Sequence, residues 1–411
     1  MTTSTYLKKT FMRAAALMLL AATSQLAMAQ ERPDLVVGVA DLPATLEPGN
    51  ELSNVGTRVN YSVFDTLIRR DFLSAEGGGG STLVPSLATE WTRIDDLTLE
   101  VKLRDDVTFH NGAPLTAEDV VFTFSPDRLS GENAVLTEGP AYFSVLAEVK
   151  AIDAHTVHFI TKAPDPLLEH RLSSWASWIV NKADWEAKAA TDGGIPMFPI
   201  GTGPFMLDEY KADESIRLVA FDDYFGGLPT AATVTFREIP EPSTRVAGLV
   251  SGEFDIITNV APDQIPQING YDDIETRSVV LANSHVLAYS TQDPVMKDAR
   301  VRQAMNLAID RQLLNEALWG NDALVPNTHS YAQYGDLNDT TDQTFEYDPE
   351  QAKALLAEAG YDGSTIRFDT DPVYYTNGLL ASQAIQEMWA EIGVKAEINV
   401  TTKWTGSDAD M

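Results

Sequence analysis

Between Leu97 and Arg104 apolar and polar side chains alternate without a break. Leu97, Leu99, Val101 and Leu103 fall on one side, and Thr98, Glu100, Lys102 and Arg104 on the other. A period of two predicts a strand with one wet face. Asp95-Asp96 supplies the turn from a preceding strand around Trp91 to Ile94. Val36 to Val39 reads as a short buried strand, followed by a turn-rich segment with Pro43, Pro48, Gly49 and Asn50. An amphipathic stretch runs from about Thr57 to Leu67, and Gly77 to Gly80 forms a loop tip between patterned segments. Phe205 to Tyr210 and Ser215 to Phe221 flank the polar "KADE" as a strand pair, and Val234 to Ile239 adds another strand.

The last third changes period. "DARVRQAMNLAIDRQLLNEALWGN" sets Val301, Met305, Ala308, Ile309, Leu313 and Ala317 on one helical face ending at Gly320. In "DPEQAKALLAEAGY", Asp348 can cap, Pro349 takes the first helical position, Gln351 can close the box and Gly360 stops the helix. A further helix from about Gly378 to Ile392 ends at Gly393 and leads into a strand with Val394, Ala396, Ile398 and Val400. Helices and strands mix without regular alternation or internal repeat. This predicts an α/β protein of several sheets, and 411 residues imply two or more lobes.

The first residues read as a secretory signal: Lys8, Lys9 and Arg13 precede an apolar run from Ala14 to Ala22, and Ala27-Met28-Ala29 offers a cleavage site. The run is short of the roughly 20 residues a spanning helix needs. There is no cysteine, which excludes a disulfide framework and the lipidated cysteine of an anchored exported protein. A soluble periplasmic protein is the expected compartment. Asp and Glu number 60 against 29 Lys and Arg, and removal of residues 1–29 deepens the net charge from −31 to about −34. Such a surface repels nucleic acid, which is bound through Lys and Arg, and suits a solvated or salt-adapted exterior.

Chemistry is sparse. "DDVTFHNGAPLTAEDVVFTF" places His110 among Asp105, Asp106, Glu118 and Asp119. It reads as a strand exit, a turn at Asn111-Gly112, and a helix start capped by Thr116 with Asp119 closing the box. Glu118 and Asp119 suit the helix's positive end, so His110 belongs to scaffold. His155 and His158 are three apart on a strand-like segment and point to opposite faces, which argues against zinc. No G-x-S-x-G elbow is present. "PIGTGPFML" lacks the Lys-Ser/Thr pair of a phosphate cradle, and Gly201 and Gly203 are expected to let the backbone turn before Pro204. Trp175, Trp178, Tyr374, Tyr375 and Trp404 lie in Ser/Thr/Asn/Gly-rich contexts that suit an apolar-walled cleft.

Together, "LVVGVADLPATLEP", "LVPSLATEWTRIDDLTLEVKLRDDVTFHNGAPLTAEDVVFTF", "IGTGPFML", "FDDYFGG", "TVTFREIPEPSTRVAGLVSGEFDI", "ARVRQAMNLAIDRQLL" and "DPEQAKALLAEAGY" make the chain resemble the extracellular solute-binding proteins of peptide/nickel-type ABC importers. Pro126, where the family's helix usually continues, and Ser290, where Asn is common, depart from the pattern. The resemblance implies a two-lobe, hinged α/β periplasmic-binding fold. Residues 1–29 would be the signal, 30–65 and 190–285 lobe I, 66–189 an extra subdomain of lobe I, and 286–411 lobe II. The family's chain returns to lobe I at its end, so lobe II is expected to be incomplete here.

It also implies capture of a solute, not catalysis, without cofactor or metal, by a monomer serving an inner-membrane ABC permease and ATPase. Peptides or another amino-containing small molecule lead the ligand classes, with nickel chelates, opines, haem and oligosaccharides open. By the same resemblance Leu52, Ser53 and Thr57 line one wall, Ser174, Trp175 and Trp178 a second, and Trp404 the facing lobe. An exported hydrolase with a non-standard triad, a peptide-holding chaperone and a chemoreceptor ligand-binding protein are the alternatives.

Overall fold

The computed structural model describes residues 32–72, 82–278, 284–325, 328, 338–339, 341, 345–372 and 376–401. The signal sequence, the Gly77–Gly80 tip, Tyr374, Tyr375 and Trp404 lie outside the described residues. In chain order the strands are β1 (Asp34–Val39), β2 (Ile68–Arg70), β3 (Leu83–Pro85), β4 (Ala88–Arg93), β5 (Thr98–Leu103), β6 (Leu146–Asp153) and β7 (Thr156–Thr161). They continue with β8 (Phe205–Lys211), β9 (Ser215–Ala220), β10 (Thr233–Glu238), β11 (Ile256–Ile257), β12 (Ile366–Thr370) and β13 (Ala396–Val400).

The first sheet has the order β11-β1-β10-β9-β8. Strand β1 is parallel to both its neighbours, pairing Asp34 with Thr233 and Val37 with Ile256. The β8–β9 hairpin predicted from its alternation closes the antiparallel side. Val37, Val39, Ile216, Leu218 and Phe236 of this sheet are buried in one cluster with Val59, Val63 and Phe64. The helix Asn54–Val63 supplies Val59 and Val63, so it covers the sheet with its apolar stripe.

That helix stops short of the predicted Leu67 because its exit is occupied from outside. Gly203 N donates to Val63 O at 2.9 Å, and Phe64 is extended (φ −126°, ψ 157°). A Cβ on Gly201 would lie 2.2 Å from Val63 O, and one on Gly203 2.5 Å from the Val63 carbonyl carbon. Neither glycine has a positive φ. The chain bends at residues 202–204, as expected before Pro204, and what requires glycine at these two positions is a close approach of two backbones.

The second sheet, β4-β5-β7-β6, is antiparallel throughout. Leu99, Val101 and Leu103 on β5, and Val157 and Phe159 on β7, are buried against Phe109, Phe124 and Leu129. Glu100 lies on the opposite, wet face, where His158 Nε2 meets Glu100 Oε2 at 2.9 Å. The alternation of Leu99 to Leu103 thus predicts strand and buried face together.

A third cluster joins the parallel pair β12–β13 to the later helices, with Trp389 1% exposed and its Nε1 donating to Met305 O at 2.9 Å. The helix expected from Asp298 to Gly320 is two helices, Ala299–Leu307 and Arg311–Trp319. Asp310 breaks it, accepting from Leu313 N at 2.9 Å as the cap of the second helix. The break turns the stripe, so Leu313 is 52% exposed and Leu314 is buried. Helix Pro349–Ala359 begins at the Asp348 cap and ends at Gly360 (φ 69°), as its sequence signals require. Among the described residues no helix is long and apolar enough to cross a membrane.

Candidate ligand-binding site

Because β1, β10 and β11 are parallel, their C-terminal ends lie along one edge of the sheet. Loops at such an edge are where open α/β sheets hold ligands. The loop after β1 runs through residues 40–53, and the loop after β11 begins at Thr258-Asn259.

The loop after β1 is anchored by a buried ion pair. Glu47 (0% exposed) accepts from Arg128 Nη2 at 2.5 Å, from Trp185 Nε1 at 2.7 Å and from Gly49 N at 3.1 Å. Arg128 Nη1 donates in turn to Thr123 O at 2.7 Å. Arg128 lies on the π-helical turn Pro126–Ser130 that Pro126 imposes after the helix Ala117–Thr123. The departure at Pro126 therefore carries the residue that fixes this loop.

From this anchor the chain reaches Leu52, which is half-buried against the second sheet's core. Ser53 follows, capping the helix by accepting from Val55 N at 3.2 Å and Gly56 N at 3.1 Å. Thr57 Oγ1 donates to Ser53 O at 2.7 Å. One residue on, Arg58 spans to the neighbouring loop, donating from Nη1 to Thr258 Oγ1 at 3.1 Å and from Nη2 to Asn259 Oδ1 at 2.8 Å. Burial holds its pKa below the ordinary arginine value, yet a guanidinium stays charged. Asn259 has φ 57°, a left-handed conformation that asparagine tolerates better than most. Arg245, 2% exposed, fixes the same corner by donating to Ile239 O at 2.6 Å, Pro240 O at 2.9 Å and Asn259 O at 3.3 Å.

Ser174 and Trp175 lie in the irregular segment before the helix Lys182–Ala189. Ser177 Oγ and Ser174 O are hydrogen-bonded, and Ala176 is left-handed at φ 62°, a strained state for a residue with a Cβ. Trp175 is half-buried beside the first sheet's cluster. Trp178 is 1% exposed, edge-on to Tyr61 at 5.4 Å between ring centroids. It also lines a cavity of about 10 Å³ with Tyr61, Asp65, Arg69 and Ser173.

Behind the helix, Asp65 accepts from Thr202 Oγ1 at 3.0 Å and Tyr224 OH at 3.2 Å. Burial pushes its carboxyl up to about 6, against those two hydrogen bonds and the Arg69 charge. His110 sits nearby in the chain's packing: its Nε2 meets Gly203 O at 3.0 Å and its ring stands edge-on to Phe221 at 5.2 Å. Burial holds the imidazole down to about 4, although the Gly203 hydrogen bond favours the proton. Thr116 N and Oγ1 both donate to Asp119 Oδ2, at 3.1 and 2.8 Å, and Arg104 pairs with Asp106 at 2.7 Å. Asp106 and Asp119, two of the acids around His110 in the sequence, thus have structural partners of their own. Among the described residues no group of three His, Cys, Asp or Glu is placed to hold a metal.

An arrangement of several sheets, the first with its parallel strand ends along one edge, is shared with periplasmic binding proteins of known structure. Residues 82–411 match bacterial extracellular solute-binding proteins, family 5, and the chain belongs to that family. It is 33% identical over 348 residues to the dipeptide-binding protein of Escherichia coli strain K12, covering 79% of this chain and 64% of that protein. With the probable di/tripeptide-binding protein 5 of Pseudomonas aeruginosa the identity is 30% over 370 residues, 84% of this chain and 68% of the relative. The periplasmic binding protein DppA of Helicobacter pylori, solved with the peptide STSA, superimposes with a TM-score of 0.77. At 23% identity it covers 90% of this chain and 75% of its own, which establishes the periplasmic-binding-protein fold.

Arg58 was not among the residues expected to line the wall. Its signal was present, a basic residue one turn into a capped helix of an acidic chain, but its partner lies 200 positions away.

Proposed function

We propose that the protein is the substrate-binding component of an ABC importer, capturing peptides or a related small solute and delivering it to a membrane permease powered by an ATPase. The observation that carries this reading is the sheet edge at β1, β10 and β11, where Ser53, Thr57, Arg58, Thr258 and Asn259 converge. Identity to di- and tripeptide-binding relatives over most of the chain supports the peptide class.

In this reading the chain is exported, cleaved after Ala29, and works in the periplasm as a monomer. Residues 30–65 and 190–285 act as lobe I, 66–189 as its extra subdomain and 286–411 as lobe II, with closure by hinge motion. Leu52, Ser53 and Thr57 form one wall, Ser174 and Trp175 a second with Trp178 beneath Tyr61, and the family resemblance adds Trp404, outside the described residues, as a contributor from the facing lobe. Calorimetry and thermal shift against peptides, opines, nickel chelates, haem and oligosaccharides test the function. Saturable binding of one class is expected, and no saturable ligand of any kind would remove it.

A further inference from the structure

We propose that Arg58 is a specificity-determining residue that receives a carboxylate of the bound solute; this rests on the binding-protein reading above. Arg58 stands at the C-terminal edge of β1 and β11, and both acceptors it meets, Thr258 Oγ1 and Asn259 Oδ1, are neutral. Among the described residues no carboxylate pairs with it; burial lowers its pKa, and the like charge of Arg245 stands close by. Arg32, Arg93, Arg104, Arg128, Arg171, Arg217, Arg237, Arg277, Arg300 and Arg367 each pair with an acid. Arg311, like Arg58, is half-buried and donates to neutral acceptors, Asn306 and Ile309 O, but it stands in the helical cluster of the later residues; Arg58 has this character at the C-terminal edge of the first sheet. Even Arg245 beside it has Glu241 for company.

A half-buried cation is costly to leave uncompensated, and in a chain with 60 acidic side chains an internal partner is readily at hand. Its absence at this edge leaves the compensation to the ligand. A guanidinium has five N–H donors in a planar fork. The two neutral contacts hold the group in place and leave donors for a carboxylate, the geometry in which arginine binds most strongly. Thr258 and Asn259 directly follow β11 on the way out of the first sheet, so occupancy at Arg58 is coupled to that exit. The negative charge of the protein disfavours anions at long range, and Arg58 reverses this locally, selecting solutes whose carboxylate reaches this point.

The test uses the full chain and calorimetry with dialanine, alanyl-leucine and trialanine, each as free acid and as C-terminal amide, on wild type, Arg58→Gln and Arg58→Lys. Wild type is expected to prefer the acid by about tenfold or more. Arg58→Gln collapses the acid-to-amide ratio towards one, and Arg58→Lys restores part of it. Equal wild-type affinity for acid and amide overturns the inference while the binding function stands. So does an equal loss on both members of a pair in Arg58→Gln, which would make Arg58 a brace for Thr258-Asn259. Saturable binding solely of solutes without a carboxylate overturns it as well. Failure of these peptides together with the opines, nickel chelates, haem and oligosaccharides of the functional screen removes the binding-protein reading itself.

Discussion

Replacing Glu47 by alanine strands a buried cation. Arg128 is 2% exposed and its carboxylate partner 0%, so the vacated site admits no solvent without rearrangement. Breaking a buried pair by removing one partner costs about 3–5 kcal/mol. The indole N–H of Trp185 and the Gly49 amide, which also bond Glu47, lose their acceptor at about 1–3 kcal/mol each. These losses share one space and do not add fully, so a drop of about 4 kcal/mol or more is expected, a large part of the roughly 5–15 kcal/mol that holds a domain folded.

Urea unfolding followed by tryptophan fluorescence measures it, with Trp185 itself as a reporter. The decisive comparison is the double variant Glu47→Leu with Arg128→Met. With both charges gone the desolvation cost vanishes, and most of the single-variant loss should return. A loss under about 1 kcal/mol in Glu47→Ala would refute the reasoning. Equal costs of Arg128→Met in the wild-type and Glu47→Leu backgrounds would also refute it, because the pair would then not be coupled.

Asp65 and His110 should act on stability with opposite pH dependence. Asp65, raised from 3.8 to about 6 in the folded protein, holds a proton there that the unfolded chain has released. It therefore lowers stability as pH rises from about 4 to 6, by about 3 kcal/mol. His110, lowered from 6.5 to about 4, leaves the proton to the unfolded chain, so its contribution is lost as pH falls through that window, again by about 3 kcal/mol. The two nearly cancel in wild type. Chemical denaturation between pH 4 and 6.5 should show stability rising with pH in Asp65→Asn and falling in His110→Gln; slopes of the same sign would contradict both assignments. His110→Ala should leave ligand affinity by calorimetry nearly unchanged, and a large loss without unfolding would restore it as a site residue. Gly203→Ala, whose Cβ meets the Val63 backbone, should destabilise by more than the ~1–3 kcal/mol of ordinary overpacking. Gly112→Ala at φ 81° with open space around it should cost only about 1–2 kcal/mol; equal melting shifts would refute the close approach as the reason for glycine at Gly203.

The sequence by itself determined what depends on neighbours in the chain. The β5 alternation, the Thr116–Asp119 box, the Asp348 cap with Pro349 and Gly360, and the β8–β9 hairpin are all set by residues within a few positions. Their periods and caps operate locally, and the run of such segments was enough to place the chain in its family. Local pattern erred where two local signals competed, as at Asp310, whose cap overrides a continuous apolar stripe.

What only the tertiary structure decided is where distant groups meet and how dry the meeting place is. Glu47 finds Arg128 81 positions on and Trp185 138 positions on. Asp65 finds Thr202 and Tyr224, and Arg58 finds Thr258 and Asn259. The energy of a charge depends on its desolvation and on partners brought near by folding. Residue spacing encodes neither. A carboxylate or guanidinium therefore reads alike in sequence whether it is a solvated surface group, the buried anchor of a loop, or an arginine left open for a ligand.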